Sequence, residues 1–232
     1  LIITYGLVLG SFFNVVGLRV PAGQSVFRPN SACPTCGRRL NDFELIPVLS
    51  YLIQRGKCRY CHGRISALYP LMELVTAFAF VHAFATYGMS LDTVLAWSLA
   101  ALLIIVTVSD LRYMIIPNKI LLIFFFIFAL ERMVVPLKPR WDSLVGASVA
   151  FILLYAIAVV SRGGMGGGDV KLFTCIGFFV GWQVFLLAFF LATLIGSMIG
   201  IIGMITGTMH RKSAVPFAPS IAVGTWLAYV YY

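Results

Sequence analysis

The sequence predicts an all-α polytopic membrane protein of about eight transmembrane segments, and three observations carry that prediction. Of the 232 residues, 61% are hydrophobic and only 11% charged, with a mean hydropathy of +0.98, whereas soluble domains carry about a quarter charged residues. The apolar residues fall into separate runs, near 1–18, 70–87, 91–109, 120–135, 144–161, 172–180, 184–206 and 214–232. The basic residues collect between those runs, as topology determinants do. They are not spread over a polar face interleaved with aromatics, so the net charge of +9 does not indicate nucleic acid as a partner.

The run at 1–18 is followed, not preceded, by Arg19, the reverse of the charge order in a cleavable signal peptide. It reads as a first membrane helix with its N-terminus outside, and the natural chain is expected to begin slightly before Leu1. Eight of the 17 Lys and Arg residues (Arg19, Arg28, Arg38, Arg39, Arg55, Lys57, Arg59, Arg64) lie between positions 19 and 69, against only Asp42 and Glu44. That excess places the loop in the cytoplasm. Alternation then puts 110–112, 163–171 and His210-Arg211-Lys212 on the same side, with Arg112, Lys119, Arg162 and Lys171; Arg132, Lys138 and Arg140 run against this orientation. The run at 172–180 is too short to cross a core of about 30 Å at about 1.5 Å per residue, so it must start deep or border a water-accessible region. The expected organisation is a first transmembrane helix at 1–18, a cytoplasmic loop domain at 19–69 and a membrane domain at 70–232.

Within the loop, Cys33-Pro-Thr-Cys36 and Cys58-Arg-Tyr-Cys61 form two C-x-x-C pairs separated by residues 37–57. This is slightly longer than the spacing of about 15–20 usual in four-cysteine zinc sites. Four thiolates close a tetrahedral structural site with no open position. A reducing cytoplasm favours zinc over disulfides, and a polar loop with little core needs such a cross-link to fold. The expectation is a cytoplasmic zinc-binding loop domain with Cys33, Cys36, Cys58 and Cys61 as ligands. Cys58-Arg-Tyr-Cys61-His62 also matches the pattern of covalent haem attachment. The second cysteine pair and the cytoplasmic placement argue against haem and leave His62 solvated or beside the metal ligands. Cys175 reads as a small buried side chain.

Five of the eight acids (Asp42, Glu44, Asp92, Glu131 and Asp142) lie in the loop or at outer segment ends, as ordinary solvated charges. Glu73, Asp110 and Asp169 lie at or just inside the cytoplasmic ends of apolar runs, where a carboxylate is costly and reads as functional. Asp110 closes one run ahead of a rigid turn at Pro117-Asn118, with the next helix beginning near Lys119. Asp169 follows a glycine-rich loop at 163–168 and starts a short helix, whose dipole favours its charge. Two carboxylates brought together in a low-dielectric cleft cannot both ionise easily, so one keeps a proton and the pair can activate water and protonate a leaving amine. Gly166, Gly167 and Gly168 would let an extended substrate backbone approach. No Gly-Lys-Ser/Thr follows them, so this is not a phosphate loop. None of the three histidines sits beside an evident nucleophile.

Taken in order, Gly10-Ser-Phe-Phe-Asn14, Arg19-Val-Pro21, the two cysteine pairs, Tyr69-Pro-Leu-Met-Glu73-Leu, Asp110 through Pro117-Asn118, Gly166-Gly-Gly-Asp169-Val-Lys171-Leu and Pro216-Phe-Ala-Pro219 resemble bacterial type IV prepilin peptidases. These are membrane aspartic proteases with a GxGD motif, and the likeness is strongest to the competence-type enzymes of Gram-positive bacteria. The resemblance covers nearly the whole chain. It implies a multi-pass protein of the bacterial inner or plasma membrane, in contact with lipid, whose site faces the cytoplasm. There it would cleave the basic leader of prepilin or pseudopilin precursors, with Asp110 and Asp169 as the catalytic pair. Many members also N-methylate the new N-terminus with S-adenosylmethionine, and the cysteine loop belongs to the region associated with that activity. The resemblance leaves that cofactor open here and names no residue for it. Glu73 is a candidate for meeting the basic leader, and Lys171 for orienting Asp169 or a substrate carbonyl; Pro216 and Pro219 shape the start of the last helix. The alternative from another class is a proton-coupled transporter using the same two aspartates.

Overall fold

Every apolar run becomes a helix. The computed structural model describes residues 1–28, 30–161, 164–207 and 215–232. Among them are nine α-helices: α1 (Ile2–Arg19), α2 (Leu49–Ile53), α3 (Leu68–Tyr87), α4 (Leu91–Tyr113), α5 (Asn118–Val134), α6 (Asp142–Val160), α7 (Gly167–Val180), α8 (Trp182–Ile205) and α9 (Ala218–Tyr231), plus a 3-10 turn at Asp42–Leu45. The only extended pairing among the described residues is two isolated bridges, Ala32 with Arg39 and Lys57 with Arg64. His210-Arg211-Lys212 and Arg162, which the charge argument used, lie outside the described residues.

Five helices, α1, α3, α4, α6 and α8, are long and apolar enough to cross a membrane. The expected eight crossings are thus five by this measure. α5 has 17 residues and α7 and α9 have 14 each, and at about 1.5 Å per residue the last two reach only about 21 Å.

The chain divides into two units, Leu1–Val108 and Ser109–Tyr232. In the first, α1 packs on α3. A Cβ on Gly10 would stand 2.9 Å from the Glu73 Cα, so the absence of a side chain there lets the backbones close. Phe80 of α3 stacks on Trp97 of α4 with centroids 5.0 Å apart, and the Trp97 indole N–H donates to the Phe80 carbonyl at 3.0 Å. In the second unit α7 packs against α5, α6 and α8, and α8 against α9. The closest approach is α6 on α7, where a Cβ on Gly177 would meet the Gly146 carbonyl oxygen at 2.5 Å. Phe128, Phe173, Phe179 and Phe185 are fully buried and fill this unit's core.

Arg132, which ran against the charge rule, has a local explanation in the second unit. Its Nε donates to the Phe179 carbonyl at 2.7 Å, and its guanidinium lies 4.5 Å from the Phe179 ring centroid. It therefore caps the last turn of α7, where carbonyls lack intrahelical partners and a cation is favoured.

Candidate active site and metal centre

The second unit brings two carboxylates to helix ends. Asp110 sits in the last turn of α4, 7% exposed. The chain turns immediately after it: the Met114 N–H donates to the Asp110 carbonyl at 2.9 Å, Met114 takes a positive φ of 53°, and the Ser109 hydroxyl donates to the Ile115 carbonyl. Pro117 then precedes α5 in extended conformation. The Asp110 side chain points away from this turn. Its Oδ2 accepts the Ala218 N–H at 2.9 Å, and the Phe217 N–H also donates to the carboxylate. These are the first N–H groups of α9, and the next residue, Pro219, has none to satisfy. Asp110 is thus the N-terminal cap of a helix far away in sequence.

Asp169 occupies the third position of α7. Its N–H donates to the Gly166 carbonyl at 3.0 Å, and its carboxylate accepts the Gly166 N–H, which is the half of a capping box that the third helical residue supplies; Gly166 has no side chain to supply the other half. The helix therefore starts at Gly167, two residues before the expected start at Asp169, and takes two glycines into its first turn. Asp110 exerts a direct Coulomb effect on Asp169, so the fold brings the two carboxylates within electrostatic reach.

The three glycines are not equivalent. A Cβ on Gly166 would come 3.0 Å from Asp169 Oδ2, and one on Gly168 would come 3.0 Å from the Ile116 Cβ. Gly168 therefore lets the segment after Asp110 lie against the α7 N-terminus. A Cβ on Gly167 would meet nothing within 4 Å, so this is the open side of the turn. Lys171 is exposed, and its Nζ donates to Asn118 Oδ1 at 3.0 Å, joining α7 to the start of α5. Sequence reasoning did not anticipate the roles of Ile116 and the 217–218 N–H groups, although Pro219 marked that helix start.

The first unit holds the cysteine cluster and Glu73. The four ligand atoms of Cys33, Cys36, Cys58 and Cys61 all lie within 4.8 Å of one another, and the Cys33 and Cys61 sulfurs are 3.7 Å apart. Metal–sulfur bonds of about 2.3 Å in a tetrahedron place sulfurs about 3.8 Å apart, so the set fits a four-thiolate metal site. Each pair is a tight knuckle. The Gly37 N–H donates to the Cys33 carbonyl and the His62 N–H to the Cys58 carbonyl. Gly37 (φ 69°) and His62 (φ 54°) hold the same left-handed position, so His62 serves as a turn residue and its ring is exposed. N–H donation from Cys36 and Thr35 pulls the Cys33 thiol down to about 6, while desolvation and the neighbouring cysteine sulfurs push Cys61 up to about 11, so without a metal the four sulfurs do not all carry the negative charge together. Glu73 is buried on α3, and its Oε2 accepts the Val48 N–H at 2.8 Å.

A helical protein with several membrane-length helices, a buried carboxylate at one helix end and a half-buried one at another, and a four-cysteine knuckle defines a class of membrane enzyme, and comparison with known proteins gives its family. Residues 4–87 match the model of the bacterial peptidase A24 N-terminal domain, and residues 97–201 match that of the type IV leader peptidase family. Asp110 and Asp169 fall in the second match. A protein of Bacillus subtilis (strain 168) named prepilin leader peptidase/N-methyltransferase is 45% identical over 98% of this chain and 92% of its own length. Proteins of that name from Aeromonas salmonicida and Pseudomonas aeruginosa are each 30% identical, over 98% and 97% of this chain and 89% and 88% of theirs. The chain belongs to the type IV leader peptidase family. No solved structure matches it. Nothing in these likenesses supports the transporter alternative.

Proposed function

We propose that this chain is a multi-pass inner-membrane aspartic endopeptidase that removes the basic leader of type IV prepilin-like precursors and N-methylates the N-terminus so exposed. Membership of the leader peptidase family carries the peptidase assignment, and the relatives' shared name carries both activities. The observation that supports Asp110 and Asp169 as the acid/base pair is their placement on two helix ends within Coulomb reach. One carboxylate draws a proton from water as the oxygen adds to the scissile carbonyl. The other gives a proton to the amine as the carbon–nitrogen bond breaks. The open side of Gly167, with Gly166 and Gly168, is the place for the substrate backbone. Lys171 positions the α7 turn through Asn118.

The reading includes eight membrane segments, the three short helices being inserted alongside the five long ones, with the cysteine loop and the aspartates facing the cytoplasm. The three divisions at 1–18, 19–69 and 70–232 follow from it. Zinc is the metal that best fits four thiolates, and it would supply a structural cross-link only. S-adenosylmethionine would supply the methyl group. The buried acceptors of the first unit, Glu73 and Asn14 Oδ1, the latter without a hydrogen-bond partner among the described residues, suit a site where an ammonium loses its proton before the amine accepts the methyl group.

Co-expression with a prepilin precursor, followed by mass spectrometry of the product, tests the assignment. Wild type yields the leaderless, singly methylated product. Asp110→Asn and Asp169→Asn each leave the precursor whole while the protein still inserts. Normal cleavage by either variant rejects the pair.

A further inference from the structure

The first unit contains buried polar chemistry that the aspartate pair does not use. Glu73 is 6% exposed; besides the Val48 N–H, its carboxylate receives the Ser11 hydroxyl. One helical turn along the same α1–α3 seam, Asn14 is 1% exposed and donates from Nδ2 to the Tyr69 carbonyl at 3.1 Å. Its Oδ1 is buried with no hydrogen-bond partner among the described residues. An unmet buried acceptor is costly, and polar groups in such positions ordinarily find donors. The seam therefore presents a carboxylate and an amide oxygen with lone pairs to spare. Its one backbone donor comes from Val48, held at φ 61°, a conformation rare for a β-branched residue. Acceptors with a negative charge complement a primary ammonium, which brings three N–H donors and a positive charge.

We propose that Ser11, Asn14 and Glu73 form a binding site for a primary ammonium, occupied in the methylation step by the new α-ammonium of the cleaved substrate, whose proton Glu73 takes. This rests on the reading of the chain as a leader peptidase with N-methyltransferase activity. Glu73 accepts one proton, and the freed nitrogen lone pair bonds the methyl carbon of a sulfonium donor. The carbon–sulfur bonding pair returns to sulfur, leaving a thioether and a methylated ammonium. Burial favours one small cation over the several solvated basic side chains of a leader, because each charge buried must be separately paired. The site lies wholly within the residues matched to the A24 N-terminal domain.

The test pairs Glu73→Gln, which keeps the shape of the side chain and an acceptor for Val48, with Asn14→Ala. In co-expression, the methylated fraction of the cleaved product falls at least about tenfold in Glu73→Gln, the loss of one charge-assisted bond. Cleavage and methylation falling in equal proportion, or a methylated fraction equal to wild type, overturns the assignment. A wild type that cleaves without methylating overturns it together with the methyltransferase part of the reading. Independently of turnover, two apolar peptides are titrated into the full chain in detergent: one with a free α-amine and no lysine, the other N-acetylated with one lysine. The free-amine peptide binds wild type at least about tenfold more tightly, and both variants lose that margin. Equal binding of the two peptides, or tighter binding of the lysine peptide, assigns the site to the leader and overturns the α-ammonium.

Discussion

At the N-terminus of α7, Asp169 caps the helix that carries it, through Gly166 three positions back. At the N-terminus of α9 the carboxylate comes from α4, and the Asp110–Ala218 bond spans 108 positions. Both ends offer the same thing, backbone N–H groups and the positive end of a helix dipole, and both hold an acid in place. The difference is in what depends on each acid. Removing Asp169 disturbs a turn, whereas removing Asp110 releases one helix from another.

The largest effect expected from breaking this arrangement is chemical. Asp110→Asn and Asp169→Asn keep an acceptor for their N–H partners, so each should lower precursor cleavage by at least about 100-fold with little change in melting temperature. Alanine variants then separate the two caps. Loss of an N-terminal cap costs about 1 kcal/mol; melting in detergent should show at least that for Asp110→Ala, with faster proteolysis near 215–218, and a smaller loss confined to α7 for Asp169→Ala. Equal and uniform destabilisation by the two would remove the distinction.

Metal removal is the next largest effect and lies in the other unit. Cys58→Ser, or a strong chelator, should remove about one equivalent of zinc and expose the loop to protease, because the knuckles have little core of their own. A metal-free wild type with a protected loop would contradict the zinc assignment. Smaller effects test the glycines. Gly168→Ala forces a methyl group against Ile116 and should cost about 1–3 kcal/mol by overpacking. Gly167→Val, on the open side, should leave melting nearly unchanged and raise KM if substrate backbone lies there. The smallest belongs to Lys171→Met, whose lost bond to Asn118 should destabilise by less than about 1 kcal/mol.

Much of the site was legible because its signals are local. The C-x-x-C pairs make their own knuckles, and a glycine run followed by Asp at the head of an apolar stretch marks a capped helix start. What stayed hidden was carried by contacts between distant segments. His62 reads as a haem or metal neighbour until its turn is matched with that of Gly37. Arg132 reads as a topology exception until it is found on the Phe179 carbonyl. Asn14 lies in an apolar run with no sign that half of its amide would be left unmet.

The sequence by itself determined the membrane-length helices, their apolar character, the cysteine pairs and the place of Asp169 at the head of a short helix, since each follows from residues within a few positions of one another. Only the tertiary structure decided that Asp110 caps α9, that Gly168 makes room for Ile116 and that Asp110 and Asp169 share one electrostatic environment. Those outcomes depend on which helix ends meet, and helix packing is settled by the shapes of whole faces, which no local pattern in the chain encodes.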